Sequence, residues 1–233
     1  MITVLLSVFN GGKWLDKSIS SILSQSYYNF EFLIINDGSM DNSLEIIKKY
    51  SLIDKRIKFL SHKNIGLTKS LNEGIKNSKG KWIARIDADD IACPERLELQ
   101  LNYAKKHNLS LVGCQSNIID ANDKFKQKIY IPTDSKKLYE NLKKQKSFFS
   151  HSSVLFDKNL VLKLGGYRET MNKAQDYDLW LRIAEVSKIG AIKYTGVLIR
   201  EHSKRISNKD KGIEQRIYAH CANVSRILRK DFP

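Results

Sequence analysis

Trp82-Ile83-Ala84-Arg85-Ile86-Asp87-Ala88-Asp89-Asp90 is the stretch on which the fold turns. Its first five residues form a short, mainly apolar run, and three carboxylates follow at once. Such a run, with helical periodicity on both sides, fits a strand buried in a parallel sheet. Upstream, Leu67–Asn77 reads as a helix, Ile57–Ser61 as a strand, and Phe30–Asn36 and Thr3–Phe9 as two more buried strands. Leu15, Ile19, Ile22 and Leu23 recur at helical spacing between those two. Asp41 is placed to cap a second helix whose Leu44 and Ile47 face inward. Downstream, Pro94 suits the first position of a fourth helix running to about His107, and Leu109–Gln115 reads as a fifth strand. Strands alternating with helices give βαβ units and a mostly parallel sheet flanked by helices, an α/β fold of Rossmann-like character.

Beyond residue 115 the pattern loosens. Ala121–Asp123 reads as a turn between two strands, Asp134–Gln145 as a lysine-rich helix and Ser153–Phe156 as a short strand. Gly165-Gly166 is a breaker, Asp176–Val186 a helix and Ala191–Ile199 a strand. No repeat or low-complexity linker interrupts the chain, so the expectation is one continuous domain in two halves, 1–115 and 116–210. A basic amphipathic helix over 211–233 follows. Ile213, Ile217, Cys221, Val224 and Leu228 share one of its faces, with Arg216, His220, Arg226, Arg229 and Lys230 largely away from it. Such a helix lies in a membrane interface, docks on a partner or packs back on its own domain.

The 233 residues are 42% hydrophobic and 28% charged, and mean hydropathy is -0.39. That is a globular composition, and no run of 18 apolar residues exists to span a bilayer. The chain opens on a strand-like run with no basic region or cleavage site before it, so a secretory signal is not expected. Three cysteines, odd in number and without a CxxC pair, read as reduced thiols and support neither a disulfide framework nor a zinc site. The location expected is cytoplasmic. Net charge is +15 and unevenly placed: residues 1–123 carry 16 Lys/Arg against 14 Asp/Glu, and residues 124–233 carry 24 against 11. A basic second half suggests an anionic partner, whether nucleic acid, a bilayer surface or a phosphorylated substrate; the plain alternative is solvated lysine without a partner.

The carboxylates carry the chemistry. Asp87 and Asp89, alternate residues of an extended segment, converge on one side at the carboxyl end of a strand, where open α/β sheets bind ligands. Three acids so close repel unless a cation neutralises them, and oxygen ligands suit Mg²⁺ or Mn²⁺. The alternative is a solvated acidic turn with Asp89 or Asp90 capping the next helix. Asp37, at the end of another strand, either accepts from a ribose hydroxyl or base N–H or shapes an Asx turn.

Six ordered segments give the sequence a family likeness: Leu6-Ser7-Val8-Phe9-Asn10, Ser20 through Ser26, Ile35-Asn36-Asp37-Gly38-Ser39, Asn64-Ile65-Gly66-Leu67 through Asn72-Glu73-Gly74, Arg85 through Asp90, and Gly165-Gly166-Tyr167-Arg168 with Gln175-Asp176-Tyr177-Asp178-Leu179-Trp180-Leu181-Arg182. Over about residues 2–205 the chain resembles the family 2 glycosyltransferases of GT-A fold, and within them the bacterial group that builds O-antigen, capsule or exopolysaccharide repeats. The resemblance implies a nucleotide-sugar half (1–115) and an acceptor half (116–210). It implies that Ser7, Phe9, Asn10, Asp37, Asn64, Gly66 and Asp87 cradle the nucleotide of a UDP-sugar, with Lys69 near the phosphates. Asp89, Asp87 and His202 would hold Mn²⁺ or Mg²⁺. Asp176 would be the general base that takes the acceptor hydroxyl's proton, inverting the anomeric carbon, unless it caps its helix instead. Gly166, Trp180 and His151 fall on the acceptor side, Trp180 as a sugar-stacking face or as core. Asp178 is expected to support the helix start. The acceptor expected is a saccharide on an anionic undecaprenyl diphosphate carrier at the inner membrane face, with the protein peripheral there. Three departures stand out: Gln175 replaces a frequent acid, Leu71 a frequent arginine and Phe9 a frequent tyrosine.

Two rivals are weighed. A nucleotidyltransferase would carry a glycine-rich phosphate loop, and none is present. A nucleic-acid-binding module would interleave basic residues with exposed aromatics, and the charge here lacks that pattern, so no nucleic-acid partner is expected. A catalytically inactive relative serving as a partner subunit is compatible with the same sequence.

Overall fold

The computed structural model describes residues 1–146, 148–203 and 212–231, with only the backbone at 230 and 231. Among the described residues one nine-stranded sheet forms the centre, in the order β3-β2-β1-β4-β8-β6-β9-β5, with β7 paired to β6. The strands are β1 (Ile2–Val8), β2 (Phe30–Asp37), β3 (Ile57–His62), β4 (Trp82–Arg85), β5 (Ile91–Ala92), β6 (Leu111–Ile119), β7 (Phe125–Ile129), β8 (Leu155–Asp157) and β9 (Ile189–Arg200). β3, β2, β1 and β4 are parallel neighbours. β8 then runs antiparallel between β4 and β6, and β6 pairs parallel with β9. The two halves expected from the sequence therefore meet inside β6.

The helices are α1 (Gly12–Leu23), α2 (Ser43–Ile53), α3 (Leu67–Asn77), α4 (Arg96–His107), α5 (Ser135–Lys143), α6 (Lys158–Lys163), α7 (Gln175–Val186) and α8 (Ile213–Asp231). Alternating side chains of the strands feed two cores. Val4, Leu6 and Ile34 pack with Leu15, Ile19 and Leu97 on one face. Leu5, Leu33 and Ile35 pack with Leu71, Leu179 and Trp180 on the other. A parallel sheet covered on both faces has this continuous apolar pattern.

Several expectations need correction. Pro94 does not start α4. It lies two residues ahead, in the turn after Cys93; its carbonyl accepts the Ser26 N–H, and Glu95 caps the helix. Neither Asp89 nor Asp90 caps α4. Ser153 belongs to a 3-10 turn, His151–Ser153, before β8 begins. Asp41 is not the cap of α2, which is Asn42. Its carboxylate instead accepts from the backbone of Ser43 and of Gly12, tying α2 to the start of α1.

The tail helix packs back on the domain, but with the opposite face to the one its apolar pattern selects. Ala222 is buried, and Tyr218 and Ala219 pack against the second core. Asn223 donates to the Lys143 carbonyl at 3.0 Å, and Arg229 pairs with Glu185 of α7 at 2.7 Å. Ile213, Ile217, Val224 and Leu228 remain exposed, with Cys221 and His220 on the same outer side. The expected domain boundary at 210/211 and the Lys230 side chain lie outside the described residues.

Candidate active site

Strand order reverses between β1 and β4, so the carboxyl ends of these two strands flank the crevice where such sheets bind ligands. Phe9 and Asn10 follow β1, Asp37 ends β2 and Asp87 follows β4. Asn10 adopts φ 54°, an uncommon left-handed state that asparagine tolerates. There its Oδ1 accepts the Met40 N–H at 2.8 Å while its own N–H donates to Ser39 Oγ at 3.0 Å. Ser7 is buried in β1, whereas Phe9 is half exposed.

Asp37 is buried and well supplied with donors. Its carboxylate accepts the N–H of Ile65 at 2.8 Å and of Gly66 at 3.0 Å, and the Asn64 amide at 3.3 Å. This fixes the 64–66 loop that opens α3. His62 lies 3.5 Å from Asp37 and 3.1 Å from Glu73, linking the same acid to α3. Lys69 is exposed on that helix.

After β4 the three acids part in role. Asp87 is held by Arg85 and Ser152. The fully buried Arg85 pairs with its Oδ1, Ser152 Oγ donates to Oδ2 at 2.9 Å, and its N–H donates to Ser152 Oγ at 3.0 Å. Asp90 is buried, and its Oδ1 accepts the Arg200 N–H at 2.9 Å. Arg200 also donates to the Asp89 carbonyl at 2.9 Å and pairs with Asp123. Buried guanidinium groups thus offset much of the repulsion that the sequence reading assigned to a cation. Asp87 and Asp89 both keep part of the carboxylate open, at 32% and 24% side-chain exposure, and Asp89 Oδ2 lies 2.7 Å from His202 Nε2. Trp14 stacks on that imidazole, ring centroids 4.2 Å apart.

Donor oxygens of Asp87, Asp89 and Asp90 lie within 4.8 Å of one another. Hard oxygen donors joined by one imidazole fit Mn²⁺ or Mg²⁺. The structure therefore groups Asp90 with the two expected acids, and His202 joins the group only through its contact with Asp89 Oδ2.

Asp176 is the second residue of α7, and Ala174, at φ 52°, is the cap. The acid sits in the first turn rather than capping it, with Oδ1 accepting the Tyr177 N–H at 2.9 Å. Burial and the nearby Asp87 charge push its pKa up to about 6, against the lowering effects of that hydrogen bond and of Arg85. His151 Nε2 lies 2.9 Å from the Tyr167 hydroxyl, and burial holds this histidine down at about 3. The two rings share a hydrogen bond between neutral groups and lie edge-on to Trp180. Trp180 itself is fully buried, so it is core and no stacking face.

Gly166 serves by closeness. At φ +72° an added Cβ would stand 2.6 Å from Asn72 Oδ1. The same Asn72 oxygen accepts the Tyr167 N–H at 2.8 Å, and its amide donates to the Tyr167 carbonyl at 2.8 Å. Gly166→Ala should therefore cost roughly 2 kcal/mol or more, read by denaturant melting, from left-handed strain plus overpacking.

Sequence reasoning missed Arg85, Arg200, Ser152 and Tyr167 as partners of the site. An arginine inside or ending an apolar strand, next to acids, was the available signal for the first two.

Comparisons with known proteins bear on the family and the fold. The family model described as Glycosyl transferase family 2 matches residues 3–165. The chain is 33% identical over 226 residues to the O-antigen biosynthesis glycosyltransferase WbnJ of Escherichia coli, covering 97% of this chain and 87% of that one. It is 33% identical to a glycosyltransferase of Haemophilus influenzae, of which it spans 64%. Among solved structures, S. aureus TarS 1-349 in complex with UDP-GlcNAc superposes with TM-score 0.78 at 16% identity, covering 97% of this chain and 66% of that one. The mannosyltransferase PcManGT from Pyrobaculum calidifontis, in complex with GDP-Man and Mn²⁺, gives 0.72 at 16% identity, covering 98% and 64%. Likeness at such identity concerns the fold, which is GT-A in both.

Proposed function

Since the chain belongs to the family 2 glycosyltransferases, we propose that it moves a hexose from a UDP-sugar to a saccharide hydroxyl with inversion at the anomeric carbon. The observation that carries this is the convergence of Asp37, of the Asp87–Asp89–His202 group and of Asp176 along one edge of the sheet. Exposed Phe9 offers a face for the base, and Asp37, braced by the 64–66 loop, offers an acceptor for a base N–H. Asp89, Asp87 and His202 would hold a divalent cation, which when bound supplies positive charge to the donor's diphosphate.

Asp176 takes the proton of the acceptor hydroxyl. The oxygen then attacks the anomeric carbon from the side opposite the diphosphate. One C–O bond forms as the other breaks, and UDP leaves with the electron pair. Arg85 keeps Asp87 oriented, and Tyr167, hydrogen-bonded to His151, lies near Asp176. The acceptor in this reading is a saccharide on a lipid diphosphate carrier at a membrane surface. The basic second half is the feature that supports it, together with the O-antigen relative.

Thermal stability in the presence of UDP, GDP, dTDP or CMP, each with Mn²⁺, Mg²⁺ or chelator, tests the donor site. A ligand at 100 times its Kd adds about 2.7 kcal/mol, a rise of roughly 5–10 °C for a domain this size. The expected result is a UDP shift that requires metal and is lost in Asp89→Ala. A larger shift with another nucleotide would change the donor, and none with any nucleotide would overturn the reading.

A further inference from the structure

The outer side of α8 carries a run of exposed apolar side chains that the glycosyl-transfer site does not use. Ile213, Ile217, Val224, Ile227 and Leu228 are each 40–57% exposed. At 100° per residue they fall within a narrow arc, opposite the Ala222 side that packs on the domain. From Ile213 to Leu228 the stripe runs about 22 Å along the helix. Apolar area of this extent on a surface helix marks an interface.

Charge on the neighbouring elements says what kind. Asn223 bonds the Lys143 carbonyl at the end of α5, and the exposed Lys144 and Lys146 follow directly. Arg216 is exposed next to the stripe. Two copies meeting through α8 would set these cationic groups against each other, whereas an anionic surface would be drawn to them. No helix of the described residues is long and apolar enough to cross a membrane. A helix with an apolar stripe and basic flanks lies flat in the interface instead.

We propose that the outer face of α8, with the lysines that follow α5 beside it, docks on an anionic lipid bilayer. The inference rests on the lipid-linked acceptor proposed above and names the surface that would bring the enzyme to it. The inner face of α8 holds the domain while the outer face enters the headgroup layer.

Sedimentation of the full chain with vesicles tests this. Phosphatidylglycerol-containing vesicles should bind it at least tenfold better than pure phosphatidylcholine, with the difference shrinking in 0.5 M salt. Ile217→Ser with Leu228→Ser should weaken binding by roughly 10–100-fold, because both side chains lose their burial in lipid. Lys144→Gln with Lys146→Gln should weaken it less and flatten the salt dependence. Both pairs should keep the UDP thermal shift, since none of these residues is among those placed at the nucleotide site. Equal partition of wild type and the Ile217/Leu228 variant would overturn the proposal. So would a wild-type dimer that the variant dissociates, without vesicle binding. Transfer to a water-soluble oligosaccharide separates the two readings: transfer without vesicle binding sinks the docking face alone, and vesicle binding without nucleotide binding or transfer sinks the enzymatic reading alone.

Discussion

Asp176→Asn is expected to lower kcat by a factor of about 10²–10⁴, the usual worth of a positioned general base, while leaving the UDP thermal shift intact. The amide matches the carboxylate in size and keeps an oxygen for the Tyr177 N–H, so the loss would be chemical. A sugar hydroxyl gives up its proton reluctantly, and a carboxylate of ordinary acidity is a poor base for it. Burial raises Asp176 to about 6, which brings its basicity toward the working pH while keeping it ionised at pH 7. The rate should therefore climb as pH rises through about 6 and level off above it. A flat wild-type profile between pH 5 and 8 would remove Asp176 from this role.

The same shift has a stability consequence of opposite sense. A carboxyl whose folded pKa lies above its unfolded value favours the fold in its protonated form. That contribution is complete below about pH 4 and is lost as pH rises through 6. Asp176→Asn cannot ionise, so it should be the more stable protein at pH 7.5, by up to about 3 kcal/mol, and equal to wild type at pH 4. A variant that is both inactive and more stable is the pattern of an active-site residue held under electrostatic strain.

How much of this was legible in the sequence depends on length and on sidedness. The first half was read closely because its strands are apolar runs and its helices span three turns, so the two periods separate cleanly. α6, six residues long, and β5, two residues long, are too short to show a period at all. Pro94 carried a real signal for a nearby helix start but not for the exact turn that precedes it. At α8 the pattern told which residues share a face. It did not tell which face docks, because close packing there is made by Ala219, Ala222 and a tyrosine rather than by large apolar groups. Trp180 illustrates the same limit: a tryptophan near an active-site motif is equally compatible with stacking and with core. The acids of the site were visible as acids, but the buried Arg85 and Arg200 that hold them were hidden inside strand patterns.

Asp178→Ala should destabilise the fold by about 3–5 kcal/mol. Asp178 is completely buried. Its Oδ1 accepts from Arg168 at 2.9 Å and its Oδ2 from Arg182 Nε at 2.8 Å. Arg182 in turn donates to the Leu164 carbonyl at 2.8 Å and to the Gly166 carbonyl at 2.7 Å. Burial already works against the charge on Arg182 and lowers its pKa. Removing Asp178 would leave that guanidinium desolvated without its counter-charge, and removing one partner of a buried pair costs far more than the pair's net worth. For a chain of this size the melting temperature should fall by roughly 6–20 °C. Exposed pairs such as Lys126 with Glu201 should contribute about 1 kcal/mol or less, so Glu201→Ala serves as the contrast. Replacing the pair together, Asp178→Leu with Arg182→Met, should recover part of the loss by removing the stranded charge. It would not restore activity, because the Leu164 and Gly166 carbonyls would still lack their donors and the glycine loop beside Asp176 would lose its tether. A loss below 1 kcal/mol in Asp178→Ala, or full activity in the double variant, would show that this cluster neither holds the loop nor positions the base.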